Sequence, residues 1–259
     1  MKHREKRVIA ILLLVVAISF WVFKNPNSYE KFFVQTEDSP ESQVAEPVEN
    51  NNVSPSDTEL SPLGETSSKA PLATEYLEKI EIKGRAPKTV YKRTEFYNSW
   101  PTIDGCSLRQ RIIKRELGDS AVISSEDNCT VISGEFDEPY TGSHMIFYKK
   151  SDFSSGIQID HVVALSDAWQ KGAQNLSTDE RYQLATDPLN LLAVDAKTNQ
   201  GKSDGDAATW LPPNKSFRCA YVARQISVKY KYSLWMTKAE HDKIAEVLKT
   251  CPNERVIGV

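Results

Sequence analysis

Asp160 and His161 stand side by side after the apolar-rich stretch Ile157-Gln158-Ile159, and about forty residues later the chain reads Asn199-Gln200-Gly201-Lys202. Asn190 lies between them, just ahead of Leu191-Leu192-Ala193-Val194. These residue types suit hydrolysis of a phosphodiester. That reaction needs an activated water, a counter-charge for the phosphate and a grip on the strand. His161 is the candidate general base, because an imidazole titrates close to neutral pH. Asp160 and Asn199 offer hard oxygen donors, which suit Mg²⁺ above all, or Mn²⁺ or Ca²⁺, rather than zinc. Two protein ligands suffice for Mg²⁺, which keeps waters and takes phosphate oxygens. Lys202 lies three residues after Asn199, on the same face of a helix, and is the candidate phosphate contact.

Neighbouring side chains on a strand point to opposite faces, so Asp160 and His161 must sit where the strand 157–159 ends to serve one site. Leu191–Val194 reads as a second strand. Asp195 can cap a helix running through Asn199 and Lys202. Gly201 inside that helix costs about 1 kcal/mol relative to alanine, which makes sense if a backbone or phosphate approaches it closely. Asn190 can pin the loop carrying His161 by side-chain to main-chain bonds. Elsewhere, apolar spacing predicts helices over 71–83 and 107–117, a short helix over 94–100, and strands over 129–136 and 145–148. A helix over 162–171 closes at Gly172, and Ser177-Thr178-Asp179-Glu180 reads as a capping box. Two helices, 215–231 and 237–250, follow. The class is α+β, mainly helical with short strands.

The formal charge of -3 hides three unlike parts. Lys2, Arg4, Lys6 and Arg7 precede the apolar run Val8–Phe23, so residues 1–24 read as an export signal, kept as a membrane anchor or cleaved, with the rest exported. Residues 25–70, rich in Pro, Ser, Glu, Asn and Thr, read as a disordered acidic linker. Residues 71–259 balance acids against bases and read as the folded domain. Its four cysteines suggest two disulfides in an oxidising compartment. Cys219 and Cys251 fall in successive predicted helices, which favours Cys219–Cys251 with Cys106–Cys129. Zinc is disfavoured, since no CxxC spacing and no adjacent histidine is present. Residues 83–115 and 210–238 are rich in Lys and Arg and are candidate nucleic-acid surfaces. Arg93 and Arg109 are the best candidates for strand contacts, with buried ion pairs as the alternative role. His144 and His241 have no partners in the motif and read as structural or exposed.

The order Asp160-His161, Asn190, then Asn199 with Lys202 resembles the HNH, or ββα-metal, nucleases. A wider likeness over 72–252 is to the secreted bacterial HNH endonucleases of the DUF1524 group. It rests on Gly84-Arg85-Ala86-Pro87-Lys88, Tyr91-x-Arg93, Cys106-x-x-Arg109, Pro139-Tyr140-Thr141-Gly142, Asp160-His161-Val162-Val163, Asp187-Pro188-x-Asn190 and Trp210-Leu211-Pro212-Pro213. The resemblance implies a ββα core at about 157–206, His161 as base and Asp160 and Asn199 as metal ligands. Asn199 stands where the name HNH has its second histidine, a departure that bears on metal affinity. The implied protein is an exported endonuclease with little sequence specificity, acting on DNA, with RNA as the second candidate. The rival is an inactive envelope module that binds nucleic acid.

Overall fold

The computed structural model describes residues 70–149 and 156–258, so the expected anchor and almost all of the acidic linker lie outside the described residues. Helix α1 (Ala73–Leu77) comes first. A strand pair, β1 (Thr102–Ile103) and β2 (Cys106–Ser107), leads into α2 (Leu108–Leu117). Strands β3 (Val122–Ile123), β4 (Val131–Asp137) and β5 (His144–Tyr148) form an antiparallel sheet. Strand β6 (Ile157–His161) pairs antiparallel with β7 (Leu191–Asp195), although α3 (Leu165–Gln170) and α4 (Thr178–Thr186) intervene in the chain. Helix α5 (Ala196–Lys202) follows β7 directly, and α6 (Arg218–Lys231) and α7 (Lys238–Leu248) complete the order. The described residues thus hold seven α-helices and three small sheets.

Leu191-Leu192-Ala193-Val194 shows no polar alternation because both faces of β7 are covered. Leu191 and Ala193 pack with Leu108, Ile112 and Ile113 of α2. Leu192 and Val194 pack with Val222 and Ile226 of α6. The β6–β7 pair is therefore clamped between two helices. Its register places His161 opposite Leu191 and Asp160 opposite Leu192. Asp195 caps α5 by accepting from the Thr198 amide at 2.7 Å, and Ser177 with Glu180 forms the expected capping box at the start of α4.

Three local expectations differ from the structure. Residues 94–100 do not form an α-helix; a single 3-10 turn at Arg93–Glu95 instead turns Phe96 and Tyr97 into a cluster with Trp169. Helix α1 stops at Leu77, and the following chain runs beside Met236, bonding through the Lys83 amide at 2.8 Å. Helix α3 begins at Leu165 rather than Val162, because the amides of Val162 and Val163 are taken by Asn190. Both expected disulfides are present, with Cα atoms 5.3 Å apart for Cys106–Cys129 and 6.3 Å for Cys219–Cys251. They tie β2 to the segment before β4 and α6 to the chain after α7.

A buried ionic cluster joins distant parts of the fold. The Lys171 ammonium meets Asp167, Asp206 and Glu240 at 2.7, 2.7 and 2.6 Å. Lys229 meets Glu240 at 3.0 Å, and Arg85 forks onto Asp167 and Asp206 at 2.8 and 2.7 Å. Three acids face three bases, so the cluster is self-neutralised. Its members come from the chain before β1, from α3, α6 and α7, and from the loop after α5.

Candidate active site

Asp160 and His161 are the last two residues of β6, both buried, at 5 % and 4 % exposure. They line one cleft of about 170 Å³ with Arg93, Asn199 and Ser203. Where β6 ends, Asn190 holds the chain in place. Its main-chain oxygen accepts from Val162, its side-chain oxygen accepts from Val163 at 2.8 Å, and its amide nitrogen donates to Val163 O and Leu184 O at 3.3 and 3.2 Å. The turn bearing Asn190 is held in its own right. Arg115 donates to Pro188 O and Leu191 O at 3.0 and 2.7 Å, and Arg224 donates to Leu189 O at 2.9 Å.

His161 Nε2 lies 2.9 Å from Ala185 O. A carbonyl only accepts, so Nε2 carries the hydrogen and the neutral ring keeps its lone pair on Nδ1. Burial, with the positive Arg93 nearby, lowers the imidazole pKa to about 3, which keeps the ring neutral across ordinary pH. The Trp100 ring lies nearly parallel to the imidazole, 9° between planes and 6.0 Å between centroids, and fixes its tilt.

The Asp160 carboxylate accepts one hydrogen bond on each oxygen. Lys202 Nζ donates to Oδ1 at 2.9 Å, and the Tyr140 hydroxyl donates to Oδ2 at 2.5 Å. Burial pushes its pKa upward, and Lys202 and Tyr140 oppose that shift. Tyr140 is itself fixed by a tight turn. Glu138, fully buried, accepts from the amides of Tyr140 and Thr141 at 2.9 and 2.7 Å, and Asn214 N donates to Tyr140 O. A carboxylate has about four lone-pair positions, and two remain on Asp160. Asn199 donates its amide nitrogen to Gln158 at 2.9 Å, which leaves its carbonyl oxygen as an acceptor. These oxygens, gathered in one cleft, are a donor set that fits a hard divalent cation. The other grouping of potential ligands found among the described residues, Cys219, Cys251 and Glu254, offers no thiolate, since both sulfurs are in a disulfide.

Lys202 differs from its expected role. It is 2 % exposed, and its ammonium is spent on Asp160 and on His161 O at 2.8 Å. It is the counter-ion of the carboxylate, and its ammonium is engaged inside the protein rather than presented to solvent. Arg109 is partly buried and donates to Ile157 O at 3.3 Å, which ties α2 to β6 away from the cleft. Burial lowers its pKa, and no carboxylate partner is found for it among the described residues. Arg93 does line the cleft, with its guanidinium on the Tyr97 hydroxyl at 2.6 Å. Several members of the two basic runs are buried or already paired. Arg224 and Lys229 are buried. Arg85, Lys88, Arg111 and Arg115 are paired with acids, and Lys231 is paired with Asp187. His144 sits exposed on β5 against Asp137 and Glu135, outside the cleft.

Residues 108–247 match the family described as the C-terminal domain of GmrSD restriction endonucleases. The chain belongs to this family. The matched region includes β6, β7, α5 and every residue of the cleft except Arg93. Membership supports a nuclease-type function in general terms. A protein of Arthroderma benhamiae named "Uncharacterized secreted protein" is 34% identical over 185 residues, which is 70% of this chain and 86% of that protein. The likeness therefore reaches a fungal protein. No solved structure matches. Tyr140, Trp100 and Ala185 entered the site without any chemical signal of their own. The run Pro139-Tyr140-Thr141-Gly142 was the one sequence cue to Tyr140.

Proposed function

We propose that this chain is an exported, metal-dependent HNH-type endonuclease that hydrolyses DNA with little sequence specificity; RNA is the second candidate substrate. The observation that carries the reading is the His161 tautomer: Nε2–H held by Ala185 O and Nδ1 left free in a cleft shared with Asp160 and Asn199. In this reading the antiparallel pair β6–β7 followed by α5 is the ββα core. His161 Nδ1 takes a proton from the attacking water. Asp160 and Asn199 would hold Mg²⁺, with Mn²⁺ or Ca²⁺ as alternatives. The bound ion would polarise the phosphate and stabilise the leaving oxygen. Arg93 contacts the phosphate at the cleft mouth. Asn190 and Tyr140 position the base and the carboxylate. The two disulfides and the fungal relative's name support an extracytoplasmic location. Among the described residues no helix is long and apolar enough to cross a membrane; the proposed anchor is the segment 1–24.

The test is incubation of the protein, expressed in an oxidising compartment, with plasmid and with RNA in Mg²⁺, Mn²⁺ or EDTA. Cleavage should require metal, and His161→Ala should lower it by about 10²–10⁴-fold. Plasmid left intact under every metal would overturn the reading. An unaltered His161→Ala rate would remove the assigned base.

A further inference from the structure

A second and larger cleft, of about 550 Å³, is lined by Arg85, Lys88, Gly201, Asp204 and Trp210 among others. It has no part in the mechanism above. It adjoins the smaller cleft across the end of α5: Asn199 and Ser203 line the one, Gly201 and Asp204 the other. Ser203 and Asp204 are consecutive, with Cα atoms about 3.8 Å apart, so the two clefts border neighbouring residues at the end of α5.

Gly201 supplies an independent observation. Nothing inside the protein requires a glycine there, since a Cβ at this position meets no atom within 4 Å. The helix does not need it for termination either, because the left-handed residue that ends α5 is Ser203, at φ 52°. A helical glycine that is unfavourable to the helix and unexplained by packing, on the lip of a cleft, leaves room for something from outside.

The chemistry of the lining is specific. The Arg85 fork is spent on Asp167 and Asp206, so it is not a phosphate clamp. The Lys88–Asp204 pair is different: its side chains are 52% and 45% exposed at 2.9 Å, and such open pairs hold weakly, so Lys88 is free to turn to an anion. Trp210 is half-buried and gives an aromatic surface of the kind on which bases stack. We infer that this cleft is the subsite for the nucleoside flanking the scissile phosphate of a DNA strand. The base lies at Trp210, the next phosphate on Lys88, and the backbone passes over Gly201. The inference rests on the nuclease reading for its substrate.

Gly201→Leu fills the lip without touching the interior, and Lys88→Ala removes the phosphate contact. Binding of a fluorescein-labelled single-stranded DNA oligonucleotide is measured by anisotropy in Mg²⁺, in the slow-cleaving His161→Ala background, with intact oligonucleotide verified on a gel. Gly201→Leu should weaken binding by about tenfold, the scale of one lost base stack, with a thermal midpoint equal to or above the parent's. Lys88→Ala should reduce the salt slope of log affinity by roughly one contact. In the active background, the ratio of kcat/KM for the oligonucleotide to that for bis(p-nitrophenyl) phosphate should fall for both variants. Binding by Gly201→Leu equal to the parent's, or no binding by the parent at all, overturns the subsite. Cleavage by wild type with Gly201-insensitive binding sinks the subsite alone. Gly201-sensitive binding without cleavage under any metal sinks the nuclease reading and leaves the cleft a nucleic-acid-binding groove, not a subsite beside a scissile phosphate.

Discussion

Replacing Asn190 by alanine should damage stability and rate together. The Asn190 side chain is fully buried and makes three bonds, one accepted from Val163 N and two donated to Val163 O and Leu184 O. Alanine orphans three main-chain groups away from water, each costing about 1–3 kcal/mol. Partial relaxation brings the sum to roughly 3–4 kcal/mol, a large share of the 5–15 kcal/mol typical of a domain. The segment released is the one that follows His161. A shift of about 1 Å at a catalytic group costs about 10²-fold in rate, so kcat should fall by that order while KM changes little. Asn190→Asp keeps the acceptor for Val163 N but sets a carboxylate against two carbonyls, and it should fare no better at neutral pH. The assays are urea unfolding, with an unchanged slope and a lower midpoint, and hydrolysis of bis(p-nitrophenyl) phosphate. A stability loss under about 0.5 kcal/mol, or an unchanged kcat, would show that Asn190 does not hold the loop.

Lys202→Met should cost about 3 kcal/mol at pH 7, because it strips the counter-ion from a buried carboxylate. Asp160 already has a raised pKa from burial, so the variant's folded state binds a proton that the unfolded chain has lost. The deficit should therefore grow as pH rises above the unfolded value of about 3.9 and shrink in acid; a pH-independent loss would separate Lys202 from Asp160. His161 contributes in the opposite sense. Its folded pKa of about 3 lies below the unfolded 6.5, so its contribution is complete above pH 6.5 and drains away as pH falls toward 3, by roughly 4–5 kcal/mol in all. His161→Ala should flatten that acid limb in denaturation profiles, and an unchanged limb would place the ring in water. Replacing Cys219 and Cys251 by serine should lower stability by about 3–4 kcal/mol for a loop of this length, read from the urea midpoint; a change near zero would mean the unfolded chain is not constrained by this link.

The parts of this fold that were legible in the sequence are those set by local pattern. The strand ending in Asp160-His161, the Asp195 cap, the helix through Asn199 and the two C-terminal helices all follow from spacing and caps within a few residues. The pinning bonds of Asn190 were legible because asparagine before a buried strand has few other uses. What stayed hidden depends on partners distant in sequence. Tyr140 reaches Asp160 from 20 residues away, and Arg85 reaches Asp206 from 121 residues away. Lys202 was misjudged because spacing gives the face of a helix but not which face is buried. The pairing inside the basic runs was hidden for the same reason: a charge count is blind to Glu116, Asp204, Asp206 and Glu240 waiting opposite.

The self-neutralised interior carries a consequence for when this molecule meets its target. Lys202 cancels Asp160, and the ionic cluster around Lys171 cancels itself. The chain as a whole is slightly acidic, with a net charge of -3. At the mouth of the small cleft Arg93 stands without a carboxylate partner among the described residues. The acidic excess lies before residue 71, so this one guanidinium sits on a charge-balanced domain and is a weak lure for a polyanion. In the proposed function, a divalent ion held beside Asp160 would add two positive charges to this cleft. On that reading the cleft would act as a coincidence gate, drawing a strand more strongly where the ion is present than in metal-poor surroundings.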